Sequence, residues 1–322
     1  MREVVTGPEI MELLRRVVSD FARSALGHPV SLERLLLGRP DISVQLLPPP
    51  ASIAASSVVR WDRIGVAPPS HWPRRRLGEL SGWRDHGSGH YSSFTLYRPE
   101  YADIGQCTIT HDWSCDISEV HGFAASKSEL REFSSTDAMV ERNSRDMIDT
   151  IAEAKLTENL AHDEIRIIHA PAGGGDYFER NAWDAGRVFL INGGGSHHFA
   201  AAKYIATRLQ RRVPLRGRLN SYSLNSGAVA SLCRDFDMFV VRDDDAGLAL
   251  AFADAMRQFR ATWLWHHMPR PYDGTRAVLL PRAERRSVRV AALLREGGVA
   301  DLGEHLTRLS SMSFPAQQPL QA

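Results

Sequence analysis

Val188-Phe189-Leu190-Ile191-Asn192-Gly193-Gly194-Gly195-Ser196-His197-His198-Phe199-Ala200-Ala201-Ala202-Lys203-Tyr204-Ile205-Ala206 passes from four apolar residues through three glycines into an alanine-rich stretch. Continuous apolar character over four residues is the pattern of a strand buried on both faces. Glycines then turn the chain, and the run from Phe199 carries the composition of a helix that packs closely against a sheet. The order strand, glycine loop, helix decides for an α/β fold. It also marks a candidate site, because the first-turn amides of a helix lack partners and present donors at the positive end of the dipole, which suits phosphate or carboxylate. Gly193, Gly194, Gly195, Ser196 and Lys203 are the expected binding residues, and His197 and His198 the expected acid/base groups. The loop is neither a P-loop, since no Gly-Lys-Ser/Thr follows, nor the G-x-G-x-x-G dinucleotide fingerprint. The competing reading is a glycine connection with two ordinary capping or packing histidines.

Outward from this segment, strands are expected at Ile165 to Ile168, Val213 to Leu219, Met238 to Val241 and Ala277 to Leu280. Helices are expected up to Leu209, from Ala246 to about Trp265, and around Val288 to Leu294 and Leu302 to Leu309. Thr136 to about Leu160 reads as one helix capped by Ser135 or Thr136. Residues 41–135 read as an irregular β-rich region, with the Pro48-Pro49-Pro50 run and β-favouring pieces such as Ile42 to Leu47 and Tyr91 to Tyr97. Pro8 to about Leu26 and Ser31 to Leu37 have helical spacing. The expected organisation is N-terminal helices over 1–40, the β-rich region over 41–135, an α/β ligand-binding domain over 136–312 and a tail over 313–322.

The chain has 322 residues, 43% of them hydrophobic, enough for one large core or two modest ones. A formal net charge of +1 excludes the global field of an obligate nucleic-acid or membrane binder. Only Lys127, Lys155 and Lys203 among the 39 basic residues are lysines, as a GC-rich bacterial genome would produce. No apolar run suits a signal peptide or membrane span, and three cysteines are too few for a disulfide framework. A cytoplasmic protein without membrane contact is expected.

Phe189 to Ala206, followed by Val213-Pro214-Leu215, resembles the core of the ParB/sulfiredoxin superfamily, in which a strand enters a Gly-x-His-Arg-type motif, an alanine-rich helix and a short strand beginning near Val-Pro. The resemblance covers about thirty residues. It implies a ParB/sulfiredoxin-like mixed α/β domain and contacts to the phosphates of ATP or CTP from Gly194, Gly195, Ser196 and His197. The chain departs from the pattern at His198, or Phe199 in another register, where the family usually has arginine, a bidentate phosphate partner. With no cysteine in the loop, sulfiredoxin chemistry is not implied.

Other constellations in the sequence each admit a chemical and a structural reading. His169-Ala170-Pro171 and the Gly173-Gly174-Gly175-Asp176 loop either cover the site, with Asp176 or Glu179 as a base or metal ligand, or form a surface loop. Cys107, His111, Cys115 and His121 carry zinc-ligand chemistry, but on one extended strand Cys107 and Cys115 stand roughly 26 Å apart at about 3.3 Å per residue. Only a hairpin at Asp112-Trp113 would join them. Arg208, Arg211, Arg212, Arg216 and Arg218 form the densest basic patch, read as nucleic-acid contact or as a solvated, dipole-neutralising face. Arg74-Arg75-Arg76 and Arg282, Arg285, Arg286 and Arg289 pose a weaker version of that question. Asp243-Asp244-Asp245 reads as a helix cap before it reads as a cation site. Trp263, Trp265, His266, His267 and Met268 read as core. No Gly-x-Ser-x-Gly elbow is present.

Two functions follow. The first is phosphate or nucleotide binding, with Mg2+ as accompanying metal if the ligand is a nucleotide, and phosphoryl transfer or phosphodiester hydrolysis as the reaction. The alternative is a non-catalytic interaction protein that binds nucleic acid or a protein through the arginine patch.

Overall fold

The computed structural model describes Arg23 and residues 27–47, 50–66, 76–87, 89–170 and 175–314. The expected helix from Pro8 to Leu26, Arg74-Arg75, Pro48-Pro49 and Pro171 to Gly174 lie outside the described residues, Arg23 excepted. Up to residue 225 the elements are α1 Val30–Gly38, β1 Glu79–Asp85, β2 Tyr91–Tyr97, α2 Pro99–Ala102, β3 Gly105–Asp116, β4 Val120–Phe123, α3 Thr136–Asn143, α4 Glu153–Leu160, α5 Arg166–His169, β5 Tyr177–Asn181, β6 Val188–Ile191, α6 Ser196–Arg208 and β7 Pro214–Leu224. Beyond it follow α7 Ser226–Asp235, β8 Phe236–Arg242, α8 Ala246–Phe259, β9 Trp263–His267, β10 Thr275–Pro281, α9 Arg285–Glu296 and α10 Leu302–Ser310. This is a mixed α/β protein with two five-stranded sheets.

The chain divides into two compact units. One comprises residues 1–46, 64–104 and 226–307, and the other residues 47–63, 105–225 and 308–322. The span 136–312 therefore supplies strands to both sheets. In the first unit the sheet order is β2-β1-β9-β10-β8, antiparallel throughout. Its core joins Phe239, Val241, Val278 and Leu280 of the sheet to Leu248, Phe252 and Met256 of α8 and Val290 and Leu294 of α9.

The second unit carries the strand, glycine loop and helix of residues 188–206. Its sheet runs β3-β7-β5-β6-β4, with β6 parallel to β4 and antiparallel to β5, and β5 parallel to β7. Val188, Phe189 and Leu190 are buried, as a strand covered on both faces requires. On α6, Phe199, Ala200, Ala201, Ala202, Ile205 and Ala206 are at most 1% exposed. The small side chains let the helix lie close, and Phe199 meets Phe123 of β4 edge to face at 5.5 Å.

Three local expectations are corrected. Ile165 to Ile168 is not a strand but leads into the single turn α5, with Ile165 and Ile167 buried. Three isoleucines in four residues fit a buried helical turn as well as a strand. Thr136 to Leu160 is not one helix. Ser135 caps α3 through Ala138 N as expected, but the helix ends at Asn143, and Ser144 turns the chain with φ −150° into a 3-10 turn before α4. Asn and Ser compete for backbone hydrogen bonds and favour such breaks. The helix from Ala246 ends at Phe259 rather than Trp265: Arg260 adopts φ +57°, and the aromatic Trp263-Leu264-Trp265 stretch becomes β9.

Candidate functional site

Strand β6 delivers Asn192 and the three glycines to the start of α6. Asn192, 7% exposed, fixes the loop with its whole amide. Its Oδ1 accepts from Ala124 N at 3.2 Å and Ala125 N at 3.1 Å, while Nδ2 donates to Ala125 O at 3.0 Å and Gly194 O at 2.7 Å. This stitches the segment after β4 to the loop. Gly195 is the N-cap, with φ +71° and no side-chain cap. Both its conformation and its surroundings demand glycine, since a Cβ there would lie 2.8 Å from the Glu164 carbonyl carbon.

Two carboxylates come to this loop from distant parts of the sequence. Gly195 N donates to Glu164 Oε2 at 3.1 Å, and Gly193 N donates to Asp176 Oδ1 at 3.2 Å. The Arg166 guanidinium lies over Gly193, where a Cβ would stand 2.6 Å from Nη1. Burial raises the Asp176 pKa above its ordinary value. The amides of Ser196, His197 and His198 precede the first intrahelical bond, Phe199 N to Gly195 O at 2.9 Å.

A pocket of about 710 Å³ opens at this point. It is lined by Gly193 to His198, by Ala125 to Ser128, by Asn143, Ser144, Asp146 and Met147, and by His162 and Glu164. That volume is within the range of small-molecule sites.

The two expected histidines have different partners. His197 sits between two hydroxyls, with Nδ1 2.5 Å from Ser144 Oγ and Nε2 3.1 Å from Ser128 Oγ, and Asn143 Nδ2 donates to the same Ser128 oxygen at 2.7 Å. His198 Nδ1 lies 3.2 Å from Asn159 Oδ1. Asn159 is oriented by its Nδ2, which donates to Met147 O and Lys155 O, both at 3.0 Å. Its Oδ1 must therefore accept, so the hydrogen of neutral His198 is assigned to Nδ1 and Nε2 keeps a bare lone pair. The His198 ring stacks on His162 at 3.8 Å, and His162 Nε2 stands 3.6 Å from Glu164 Oε2. Burial lowers both pKa values, with Lys127 adding to it at His197 and His162 and His197 at His198. Both shifts favour the neutral imidazole.

Of the residues expected at the site, Gly193, Gly194, Gly195, Ser196, His197 and His198 come together in one wall. Lys203 does not join them: its Nζ donates to Val120 O, and burial lowers its pKa. Glu179 also lies apart, buried beside Arg60. Arg208 contacts Asp137 at 3.2 Å and Glu141 at 3.6 Å, and Arg211 contacts Glu153 at 2.9 Å, so these two cations are engaged by acids of α3 and α4. Arg212 and Arg216 are exposed, and Arg218 lies 4.4 Å over the Tyr177 ring. Cys107 and Cys115 occupy one continuous strand, β3, with a bulge between Thr110 and Trp113 in place of a hairpin, and Cys115 is buried in the core. His121 Nδ1 accepts from Val188 N. Among the described residues no group of three or more His, Cys, Asp or Glu side chains is placed to hold a metal ion. Asp245 caps α8 through Gly247 N and Leu248 N, and Asp243 binds Arg276 at 2.7 Å.

Sequence reasoning did not find Ser128, Asn143, Ser144, His162, Glu164, Arg166 or Asn192. Asn192, a buried amide at a strand end just before a glycine triplet, carried the clearest local signal.

The fold and the pocket define a mixed α/β protein with a glycine-loop cleft at a helix start. The chain belongs to the Family of unknown function (DUF6685), whose family model matches residues 110–317, the whole of this site included. No curated protein and no solved structure matches it significantly. Among the described residues no helix is long and apolar enough to cross a membrane.

Proposed function

We propose that the chain binds a phosphate-bearing small molecule in this pocket, with the phosphate on the amides of the glycine loop and the first turn of α6 and His198 Nε2 as proton acceptor or donor beside it. The observation that carries the reading is the arrival of two carboxylates, Glu164 and Asp176, on the amides of Gly195 and Gly193. A loop that gathers anions from 31 and 17 residues away is an anion-coordinating loop. Glu164 keeps 53% of its side chain exposed, so a ligand can take its place. Arg166 supplies, from α5, the guanidinium that the ParB/sulfiredoxin resemblance leads one to expect near the loop. The order β6, glycine loop, alanine-rich α6 and Val213-Pro214 entering β7 supports a ParB/sulfiredoxin-like core as part of the same proposal. No residues are assigned to a metal. Phosphoryl transfer or phosphodiester hydrolysis, with His198 moving the proton, is the reaction class that suits the site.

The test is a thermal-shift titration with inorganic phosphate, sugar phosphates and nucleotides on the wild type and Gly194→Val. A Cβ at Gly194 would meet only the half-exposed Glu164 side chain, Oε2 at 3.0 Å, Cδ at 3.2 Å and Cβ at 3.4 Å, which has to give by a few tenths of an ångström, so the unliganded variant should melt within about 2 °C of wild type. Phosphate compounds should stabilise the wild type and leave the variant unchanged. No stabilisation of the wild type by any of them overturns the reading.

A further inference from the structure

We infer that the ligand is a polyhydroxylated monophosphate, of the sugar-phosphate class, rather than a nucleoside triphosphate. The inference rests on the phosphate reading above. It comes from the part of the pocket that the phosphate would not occupy.

Ser144 is 3% exposed, and its hydroxyl has His197 Nδ1 as hydrogen-bond partner. A buried hydroxyl directs its hydrogen at such an acceptor. Ser144 therefore donates to Nδ1, and the single hydrogen of the neutral imidazole sits on Nε2, where it is donated to Ser128 Oγ. Asn143 donates to the same oxygen. With both acceptor positions of Ser128 filled, its own hydrogen is left for an acceptor in the pocket. Asp146 lines the pocket as an exposed carboxylate that forms no ion pair among the described residues, and a carboxylate accepts from two neighbouring hydroxyls at once. A hydroxyl donor and a carboxylate acceptor without an ion-pair partner among the described residues, both lining one pocket, are the complement of a polyol.

The same lining lacks what a nucleotide needs. Among the described residues no Phe, Tyr or Trp lines the pocket and Met147 is its one large apolar side chain, and His162 and His198 already stack on each other. The charge is also wrong for a triphosphate. Lys127 in the wall and Arg166 over Gly193 are two cations against the carboxyls of Glu164, Asp146 and Asp176, so no excess positive charge is left and the amides and helix dipole suffice for one phosphate, not three.

Calorimetric titration of the full chain with ribose 5-phosphate, inorganic phosphate and ATP tests this. Ribose 5-phosphate should bind at least about tenfold tighter than inorganic phosphate, the effect of one or two added hydrogen bonds. Asn143→Ala and Asp146→Asn, both at exposed positions, should each remove most of that advantage and leave the affinity for inorganic phosphate within about twofold. Equal binding of ribose 5-phosphate and inorganic phosphate, or tightest binding of ATP, overturns the polyol inference and leaves the phosphate reading standing. Absence of binding by all three overturns both.

Discussion

Helices α6 and α8 begin alike and differ in how their first turns are satisfied. Each follows a buried strand, β6 or β8, and each is long, at 13 and 14 residues. At α8 the residue before the helix does the capping: Asp245 accepts from Gly247 N at 2.8 Å and Leu248 N at 3.1 Å, and Arg39 at 2.7 Å holds its carboxyl below the usual carboxylate range. At α6 the cap is Gly195, which has no side chain to offer, and the anions come from Glu164 and Asp176. A cap supplied by the neighbouring residue closes the helix start. At α6 the carboxylates bind the amides of Gly195 and Gly193, ahead of the first-turn amides of Ser196, His197 and His198, so they mark an anion position that a ligand can take without uncapping the helix. Asp245 and Asp243 are taken up by the α8 cap and by Arg276, as a helix-cap reading of the aspartate run expects, while the three glycines border the pocket.

The sharpest way to break this contrast is to add one side chain at each start. Gly195→Val forces a β-branched residue into φ +71° and onto the Glu164 backbone. It should lower the unfolding midpoint by about 8 °C, the range of a steric and dihedral violation together. Gly247→Ala has no left-handed conformation to violate and meets only Asp245 Oδ1 at 3.2 Å. Its midpoint should stay the same or rise by about 2 °C, as replacing a helical glycine does. Equal losses at the two positions would mean that the α6 start is no more constrained than an ordinary cap.

A smaller effect is expected from Asp245→Ala, which removes the cap of α8 and the partner of Arg39. The midpoint should fall by about 3 °C. Stabilisation by phosphate should be untouched, because Asp245 holds the start of α8 and Arg39 and no residue of the α6 loop. A lost phosphate response in this variant would detach ligand binding from the α6 loop.

How much of this could be read from the residues follows from range. The strand from Val188, the glycine turn and the alanine face of α6 are local patterns, and each stands where its spacing says. So do α9 and α10, where apolar periodicity is regular. Ser144 and Asn143 were hidden inside what reads as one helix, since the apolar positions on either side of the break keep helical spacing. Glu164 and Arg166 were hidden by the neighbouring Ile165-Arg166-Ile167-Ile168 run, whose composition reads as strand while its packing makes a turn of helix. Their partnership with glycines some thirty residues later is a property of the fold, and no local pattern carries it. The same applies to Lys203: helical spacing puts it on α6, and only the packed structure turns its amine onto Val120 O.

The finest test of the contrast is Glu164→Gln. The amide can still accept from Gly195 N through its oxygen, but the charge is gone, and with it the contact to His162. An exposed carboxylate contributes little to stability, so the midpoint should move by less than about 1 °C. If the Glu164 carboxylate occupies the place of a ligand's phosphate, the variant no longer competes with that ligand or repels it. Affinity for inorganic phosphate should then rise by about threefold, a modest Coulomb effect in a solvent-open site, and the rise should shrink as salt screens the removed charge. A midpoint that falls by several degrees with no gain in phosphate affinity would instead make Glu164 a structural cap like Asp245. In that event the two helix starts would differ only in how far along the sequence their caps are found.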